Sequence, residues 1–429
     1  MSGSIAPIIL LLTFVVLMIL KVPISWSLIT SSLLSLVFYK DIPFMVIVQR
    51  LFTGADTFSL LAVPFFILAG EIMSAGGLSR RLVDFANSLV GFLPGGLSLV
   101  SIAACTFFAA ISGSSVATTA AIGGLMVPEM VKHGYPKDFS AAVQAVGGTL
   151  GIVIPPSVVF VMYGAATNTS IADLLMSGMI PGLLTGVGLC IGALIISKKN
   201  NYPITHEFSF REVFRTFKEA ILALIMPLII LGGIYSGIFT PTESAAIAVA
   251  YGFIVCIFVY KEISIKNIKG ILMSSAKSTA VLMFLVASAY MFGWLITIYN
   301  IPLTFTNIIM SFAATKTQFL LFTVSLLLIL GMFLEDGATV LILGPIMAPM
   351  AALYGVDPIH FGFVMVFTLA IGQATPPFGT TLFVACGISD ESVVAVAKKA
   401  LPFIFIEVVF AYLFALVPIF SIWLPYLMK

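Results

Sequence analysis

Four short polar stretches interrupt a chain that is otherwise almost all hydrocarbon: ISGSSVATT at 111–119, GGTLGIVIPPS at 147–157, LEDG at 334–337 and AIGQATPPFGTT at 370–381. In the first, Ser112, Gly113, Ser114 and Ser115, followed by Thr118 and Thr119, offer hydroxyls and backbone carbonyls. Oxygen donors of that kind ligate Na+ where a helix is broken inside a membrane; the plainer alternative is that small residues let helices pack closely. In the third, Glu335 and Asp336 lie deep in an apolar stretch, where an ionisable group is by default functional. Asp336 is read as cation-related, the alternative being that one of the pair merely caps the next helix. Pro155-Pro156 and Pro376-Pro377 remove backbone donors and cannot continue a helix. Carbonyls released near Gly151 and Gly372, with Thr149, Gln373 and Thr375, are expected to complete two cation sites facing the two polar turns. The positive N-termini of half-helices suit a carboxylate. Thr380 and Thr381 can hydrogen-bond such a molecule or simply satisfy a backbone carbonyl.

The elements that position these stretches must sit in lipid. The 429 residues are 60% hydrophobic and only 9% charged, with a mean hydropathy of +1.18, against about 25% charge in soluble domains. A soluble enzyme is excluded, and the net charge of +2 gives no reason to expect nucleic acid. Eight apolar runs, at 5–20, 24–39, 58–75, 172–197, 220–235, 244–260, 279–298 and 401–424, are long enough to approach the roughly 30 Å of bilayer hydrocarbon. The first lacks a basic leader and a small-residue cleavage site, so it is expected to be a retained span. Four further stretches are broken. Those at 95–132 and 317–354 are too long for one span and carry a polar turn at the middle; each is expected to form a re-entrant hairpin of two half-length helices. Those at 138–166 and 358–387 carry the Pro-Pro pairs and are expected to cross once as broken helices.

This gives five crossings in 1–208 and five in 209–429. With the N-terminus outside, only Lys40, Arg50, Lys316 and Lys429 of the 20 Lys and Arg fall on the outer side. The positive-inside rule therefore places both termini outside. A shift of 221 residues superposes the halves: Pro128 meets Pro349, Pro155-Pro156 meets Pro376-Pro377, Pro181 meets Pro402, and Gly123, Gly134 and Gly151 meet Gly344, Gly355 and Gly372. An odd number of crossings per repeat makes the second copy upside down, the arrangement of secondary transporters with midplane sites.

The remaining candidates read as structural. Cys105, Cys190, Cys256 and Cys386 are isolated and suggest neither disulfides nor a metal site. His133, His206 and His360 fall near loops, and Glu71, Glu243 and Glu407 read as helix-pairing groups without chemistry. Residues 77–92 and 262–277 have amphipathic spacing with basic residues and are expected to lie along the cytoplasmic interface, as tethers between fixed and mobile parts. There is no GxxxxGK[ST], so energy must come from outside the chain. An inward Na+ gains about 2.3 kcal/mol per 100 mV and can drive an anion uphill. No cluster of His or paired carboxylates suggests an enzyme.

Taken with MVKHGYPKDFSAAV, GTLGIVIPPSVVFVMYG, LEDGATVLILGPIMAP and GQATPPFGTTLFVACG, the first polar turn resembles the large membrane subunit of tripartite ATP-independent periplasmic (TRAP) transporters along essentially the whole chain. The resemblance implies an all-α polytopic elevator-type Na+/carboxylate symporter of the bacterial inner membrane. Its partners would be a separate small four-helix membrane subunit and a periplasmic substrate-binding protein. It places one Na+ among Ser112, Gly113, Ser114, Ser115 and Gly151, and another among Asp336, Gly337, Thr339, Gly372, Gln373 and Thr375. The substrate would lie between the turns, near Ser115, Thr118, Pro155, Pro156, Pro377, Thr380 and Thr381; sialic acid is favoured and a C4-dicarboxylate comes next. The alternatives are a Na+/dicarboxylate symporter that needs no binding protein, and an ion channel.

Overall fold

Helices build the entire fold, and among the described residues there is no strand. The computed structural model describes residues 5–39, 42–204, 207–310 and 313–428; Lys40, His206 and Lys429, used in the sequence reading, lie outside them.

Two groups of helices separate by their packing. The first contains the hairpin Gly96–Ser112 and Ser115–Lys132, the broken helix Lys137–Val153 and Val158–Thr167, the second hairpin Lys316–Gly331 and Asp336–Leu353, and the second broken helix Pro358–Gln373 and Thr380–Ser389. Met179–Lys199 and Val393–Leu416 pack along its outside. The other group is Ala6–Ile19, Ile24–Phe38, Met45–Ala55, Ala62–Ala75, Phe210–Tyr235, Pro241–Ile254 and the 34-residue helix Ile265–Ile298. The first group holds the polar turns. It touches the second mainly where Ala62–Ala75 meets the first hairpin and where Ile265–Ile298 meets Asp336–Leu353.

The burial pattern explains the layering. From Phe139 to Val153 and from Ile359 to Gln373 every residue is buried, as expected of a helix apolar all round and held at the centre. The flanking helices instead carry one exposed apolar stripe. Leu183, Val187, Ile191 and Ile195 repeat at four-residue spacing on Met179–Lys199, as do Leu401, Phe405, Val409 and Leu413 on Val393–Leu416. Exposed apolar stripes of this kind suit contact with lipid.

Each broken helix clasps both hairpins. Its first arm packs against the hairpin that precedes it, and its second arm against the other one: Thr380–Ser389 lies on Ser115–Lys132, and Val158–Thr167 lies on Asp336–Leu353. Glycine makes both crossings close. A Cβ on Gly123 would stand 3.0 Å from Ile388 Cδ1, and one on Gly344 would stand 3.3 Å from Thr167 Cγ2. The Pro155–Pro156 and Pro376–Pro377 peptide bonds, 221 residues apart, are both cis.

Three expectations change. The hairpin arms are 17, 18, 16 and 18 residues, about 24–27 Å at 1.5 Å per residue, and so exceed half-length; the tips nonetheless end in the interior because the broken helices receive them. Among the described residues seven helices, or eight with the bent pair Lys137–Val153 and Val158–Thr167, are long and apolar enough to cross a membrane. Ala6–Ile19 and Ile24–Phe38, at 14 and 15 residues, are shorter than the sequence reading needs. Residues 265–277 are not a separate interface helix, because with no Gly or Pro between Gly270 and Gly293 nothing stops them from continuing into the span that follows. The 77–92 stretch does form its own amphipathic helix, Leu78–Val90. Arg81 ties it to the long helix's approach by donating to Gly77 O (3.0 Å) and to Glu262 (3.3 Å) while lying 3.8 Å over the Tyr260 ring.

Candidate functional site: a cavity between two hairpin tips

The first tip turns at Gly113, whose φ of +63° is the left-handed region that glycine enters without strain. Ser114 then caps Ser115–Lys132, its Oγ accepting from Ala117 N at 3.3 Å. Ser112 Oγ and Thr118 Oγ1 are 2.6 Å apart, and Val158 N donates to Gly113 O at 3.3 Å. The break of the first broken helix presses onto this cluster. A Cβ on Gly151 would stand 2.4 Å from Ser114 O and 2.6 Å from Thr118 Oγ1. Ser112, Ser114, Thr118 and Gly151 thus bring their oxygens and one bare α-carbon to a single place.

The second tip repeats the plan with acids. Glu335 occupies the cap position, its Oε2 accepting from Ala338 N at 2.9 Å, so the capping role falls to Glu335 and leaves Asp336 free of it. Asp336 is 6% exposed. Phe378 N donates to Met332 O at 3.2 Å, tying this tip to its broken helix as the first is tied to the other. A Cβ on Gly372 would lie 2.4 Å from the Gly331 carbonyl carbon, so this break rests on the end of the hairpin's first arm rather than on the tip.

Both tips open onto one cavity of about 440 Å³. Ser112, Gly113, Ser114, Ser115, Asp336, Gly337, Gln373 and Thr380 line it, with Met162 between the tips. Glu71 on Ala62–Ala75 also lines it and accepts from Ser274 at 3.2 Å. Three carboxyl groups therefore face the cavity, and among the described residues none that lines it is basic. The sequence alone reads Glu71 as a helix-pairing group, and the only signal there of a further role is a carboxylate within an apolar span.

The other expected residues stand behind this lining. Thr118, Pro155, Pro156 and Thr381 are buried off the cavity and Pro377 is exposed outside it. Thr339 donates to Glu335 O at 2.8 Å, Thr375 to Ile371 O at 2.7 Å, and Thr381 to Gln373 O at 2.8 Å. These three hydroxyls are satisfied by backbone and hold the tip and the break in shape. Thr380 donates to Gln373 Oε1 at 3.2 Å, where the pair forms part of the wall. Of the residues read as touching a substrate, Ser115 and Thr380 reach the cavity in this state. His360, expected near a loop, is fully buried between Ser421 Oγ (2.8 Å) and Ala415 O (3.1 Å).

A helical protein with several membrane-length apolar helices and two hairpin tips meeting at a cavity is a polytopic membrane protein. Residues 11–420 match the family described as tripartite ATP-independent periplasmic transporter, DctM component, and the chain belongs to it. It is similar to the isethionate TRAP transporter permease protein DctMQ of Oleidesulfovibrio alaskensis, 43% identical over 91% of this chain and 62% of that one. The C4-dicarboxylate TRAP transporter large permease protein DctM of Pseudomonas aeruginosa is 42% identical over 88% of both chains. The sialic acid TRAP transporter large permease protein SiaM of Vibrio cholerae is 36% identical over 94% of both. Among solved structures, the YdaH transporter of Alcanivorax borkumensis shares the fold, with a TM-score of 0.59 at 15% identity over 87% of each chain.

Proposed function

We propose that this TRAP large permease imports an organic acid anion by Na+ symport, taking it from a periplasmic binding protein while anchored to a small membrane subunit. The observation that carries the reading is the acidic lining of the cavity: Glu71, Glu335 and Asp336 line it, and among the described residues no basic side chain does. An anion cannot enter such a chamber alone, since like charges at close range in a low-dielectric site repel by several kcal/mol. Bound cations remove the repulsion and link the two fluxes. The first Na+ would use Ser112, Ser114 and the backbone at Gly151; the second would use Asp336, Gly337 and the carbonyls around Gln373, with Thr339 and Thr375 shaping the loops. Substrate would lie between them against Ser115 and Thr380.

The division into two helix groups, one of which contains every cavity wall except the Ala62–Ala75 and Ile265–Ile298 side, supports an elevator movement of that group past the other. The 221-residue correspondence supports an inverted repeat, 1–208 and 209–429, with both termini periplasmic. For the cargo, a C4-dicarboxylate stands ahead of sialic acid. Relatives named for C4-dicarboxylates are 37–42% identical, one named for sialic acid is 36% identical, and one named for isethionate is 43% identical over 62% of its length. The test is uptake of labelled succinate, isethionate and sialic acid into proteoliposomes holding both membrane subunits, with and without the binding protein and a Na+ gradient. Uptake of one of these acids that requires both is expected. Uptake indifferent to Na+ would remove the coupling, and uptake without the binding protein would favour a two-component symporter.

A further inference from the structure

A second cavity, of about 330 Å³, lies in the seam between the two helix groups, and the transport reading does not use it. Three helices line both this cavity and the chamber between the tips, and all three run from the chamber toward it. On Ile265–Ile298 the chamber touches Ser278 and Leu282, and the second cavity begins at Ala289, about 10 Å further along the helix. On Val158–Thr167 the chamber reaches Met162 and the second cavity Ala166. On Asp336–Leu353 the chamber reaches Gly337 and the second cavity Leu341. The two spaces are therefore stacked along one seam, the second nearer the side that the positive-inside rule makes the outer one.

Its chemistry is the reverse of the chamber's. Arg50, Asn168 and Trp294 line it, and among the described residues no carboxyl group does. Arg50 is exposed, and among the described residues its guanidinium has no acidic partner. It lies 4.8 Å from the centroid of the Trp294 ring, a cation–π contact that holds the group without neutralising it. The Asn168 amide and the Trp294 indole N–H have no hydrogen-bond partner among the described residues, so both remain available as donors.

Packing fixes this arrangement. A Cβ on Gly54 would lie 2.5 Å from Tyr290 Cβ, so it is glycine that lets Met45–Ala55 press on Ile265–Ile298. One turn back on the first helix is Arg50 and one turn on along the second is Trp294, and the two meet. Tyr290 in turn donates to Ala165 O at 2.8 Å, which joins the long helix to the end of the broken helix beside Asn168.

We propose, building on the transport reading, that this cavity is an outer waiting site for the organic anion, in which Arg50 binds the anionic end before it enters the chamber. A guanidinium matches a carboxylate or sulfonate with two parallel N–H···O bonds. Among the described residues that line the two cavities Arg50 is the only basic one, so it supplies the attraction that the acidic chamber lacks. Its exposure keeps the hold weak, since an ion pair in water contributes about 1 kcal/mol or less, and the anion is passed on rather than trapped. Movement of the cavity-bearing group along the seam would bring the chamber level with it.

The first test is binding. Of the three tryptophans, Trp26 and Trp423 are exposed, and replacing both with Phe leaves Trp294 as the sole indole fluorophore. Succinate, isethionate or sialic acid titrated into that full chain in detergent and Na+-free buffer should change the emission saturably. Arg50→Gln should abolish the change, and Arg50→Lys, which keeps the charge and loses the fork, should raise the half-saturating concentration at least threefold. No saturable change with any of the three acids, or the same change in Arg50→Gln, overturns the proposal. If that failure comes with weaker capture of the binding protein by Arg50→Gln, Arg50 faces an acidic group of that protein instead. The second test is uptake into proteoliposomes holding both membrane subunits, with loaded binding protein at saturation. Arg50→Gln should slow it severalfold and Arg50→Lys less; unchanged uptake in Arg50→Gln would put the bound anion off the route and overturn the waiting role. The titration needs no transport, so failure of the transport reading and failure of the site are distinguishable.

Discussion

The two hairpin tips are the same turn made from different chemistry. Ser114 and Glu335, 221 residues apart, both cap the second arm of their hairpin through a side-chain oxygen, and Ser115 and Asp336 follow them. One tip is neutral and turns through a left-handed glycine; the other turns at Leu334 without one and brings two carboxylates. The comparison teaches that the backbone requirement, a capped helix start ending inside the protein, is fixed, whereas the charge at the end is free to differ. The neutral tip has only hydroxyls and carbonyls to offer a cation, so its affinity must come from geometry. The acidic tip has a charge to offer as well.

The sharpest way to break the pairing is at the breaks. Gly151→Ala places a methyl 2.4 Å from Ser114 O, and Gly372→Ala places one 2.4 Å from the Gly331 carbonyl carbon. Neither backbone can yield, so each should cost about 3 kcal/mol, the upper part of the overpacking range, read as a fall in detergent melting temperature. Gly151→Ala should also abolish uptake while Gly124→Ala, where a Cβ meets nothing within 4 Å, leaves both unchanged.

Next is the charge asymmetry. Asp336→Asn should lower Na+-driven uptake at least tenfold and raise the half-saturating Na+ concentration. Ser115→Ala, at the equivalent position of the neutral tip, should lower uptake severalfold less, and equal losses would show that the acid is not what distinguishes the tips. Glu71→Gln removes one of three carboxyl groups from the wall and keeps a partner for Ser274. Weaker Na+ dependence with retained folding is expected, from uptake measured across Na+ concentrations. The smallest effect concerns the caps: Ser114→Ala and Glu335→Ala should each cost about 1 kcal/mol, seen as similar small decreases in melting temperature. Unequal decreases would mean that Glu335 does more than cap.

Legibility followed the range of the signal. Both tips and both breaks could be placed because Gly and Pro act on their own backbone, and the 221-residue register carried Ser114 onto Glu335 and Gly151 onto Gly372. The division of labour within each motif was not legible. Thr381, Thr375 and Thr339 are satisfied by backbone oxygens, and only folded geometry separates such a hydroxyl from one like Thr380 on the wall. Glu71 and Glu407 were set aside as pairing residues because sequence shows that a carboxylate is within a span and not what it faces. One faces the cavity and the other a lone threonine. The continuity of Ile265–Ile298 was missed for the opposite reason, since its lysines suggested an interface while the absence of any breaker pointed to one helix.

That helix has a further consequence. Thirty-four residues make a rod about 51 Å long, and fitting it within about 30 Å of hydrocarbon would need a tilt near 54°, outside the roughly 0–40° range of membrane helices. Its first turns, with Lys266, Lys269 and Lys277 exposed, must therefore stand clear of the lipid. Its second half, meanwhile, carries Tyr290, which donates to Ala165 O at 2.8 Å at the end of the first broken helix. A single stiff post thus connects the watery surface to the seam between the two helix groups, and any torque applied outside is delivered to that seam.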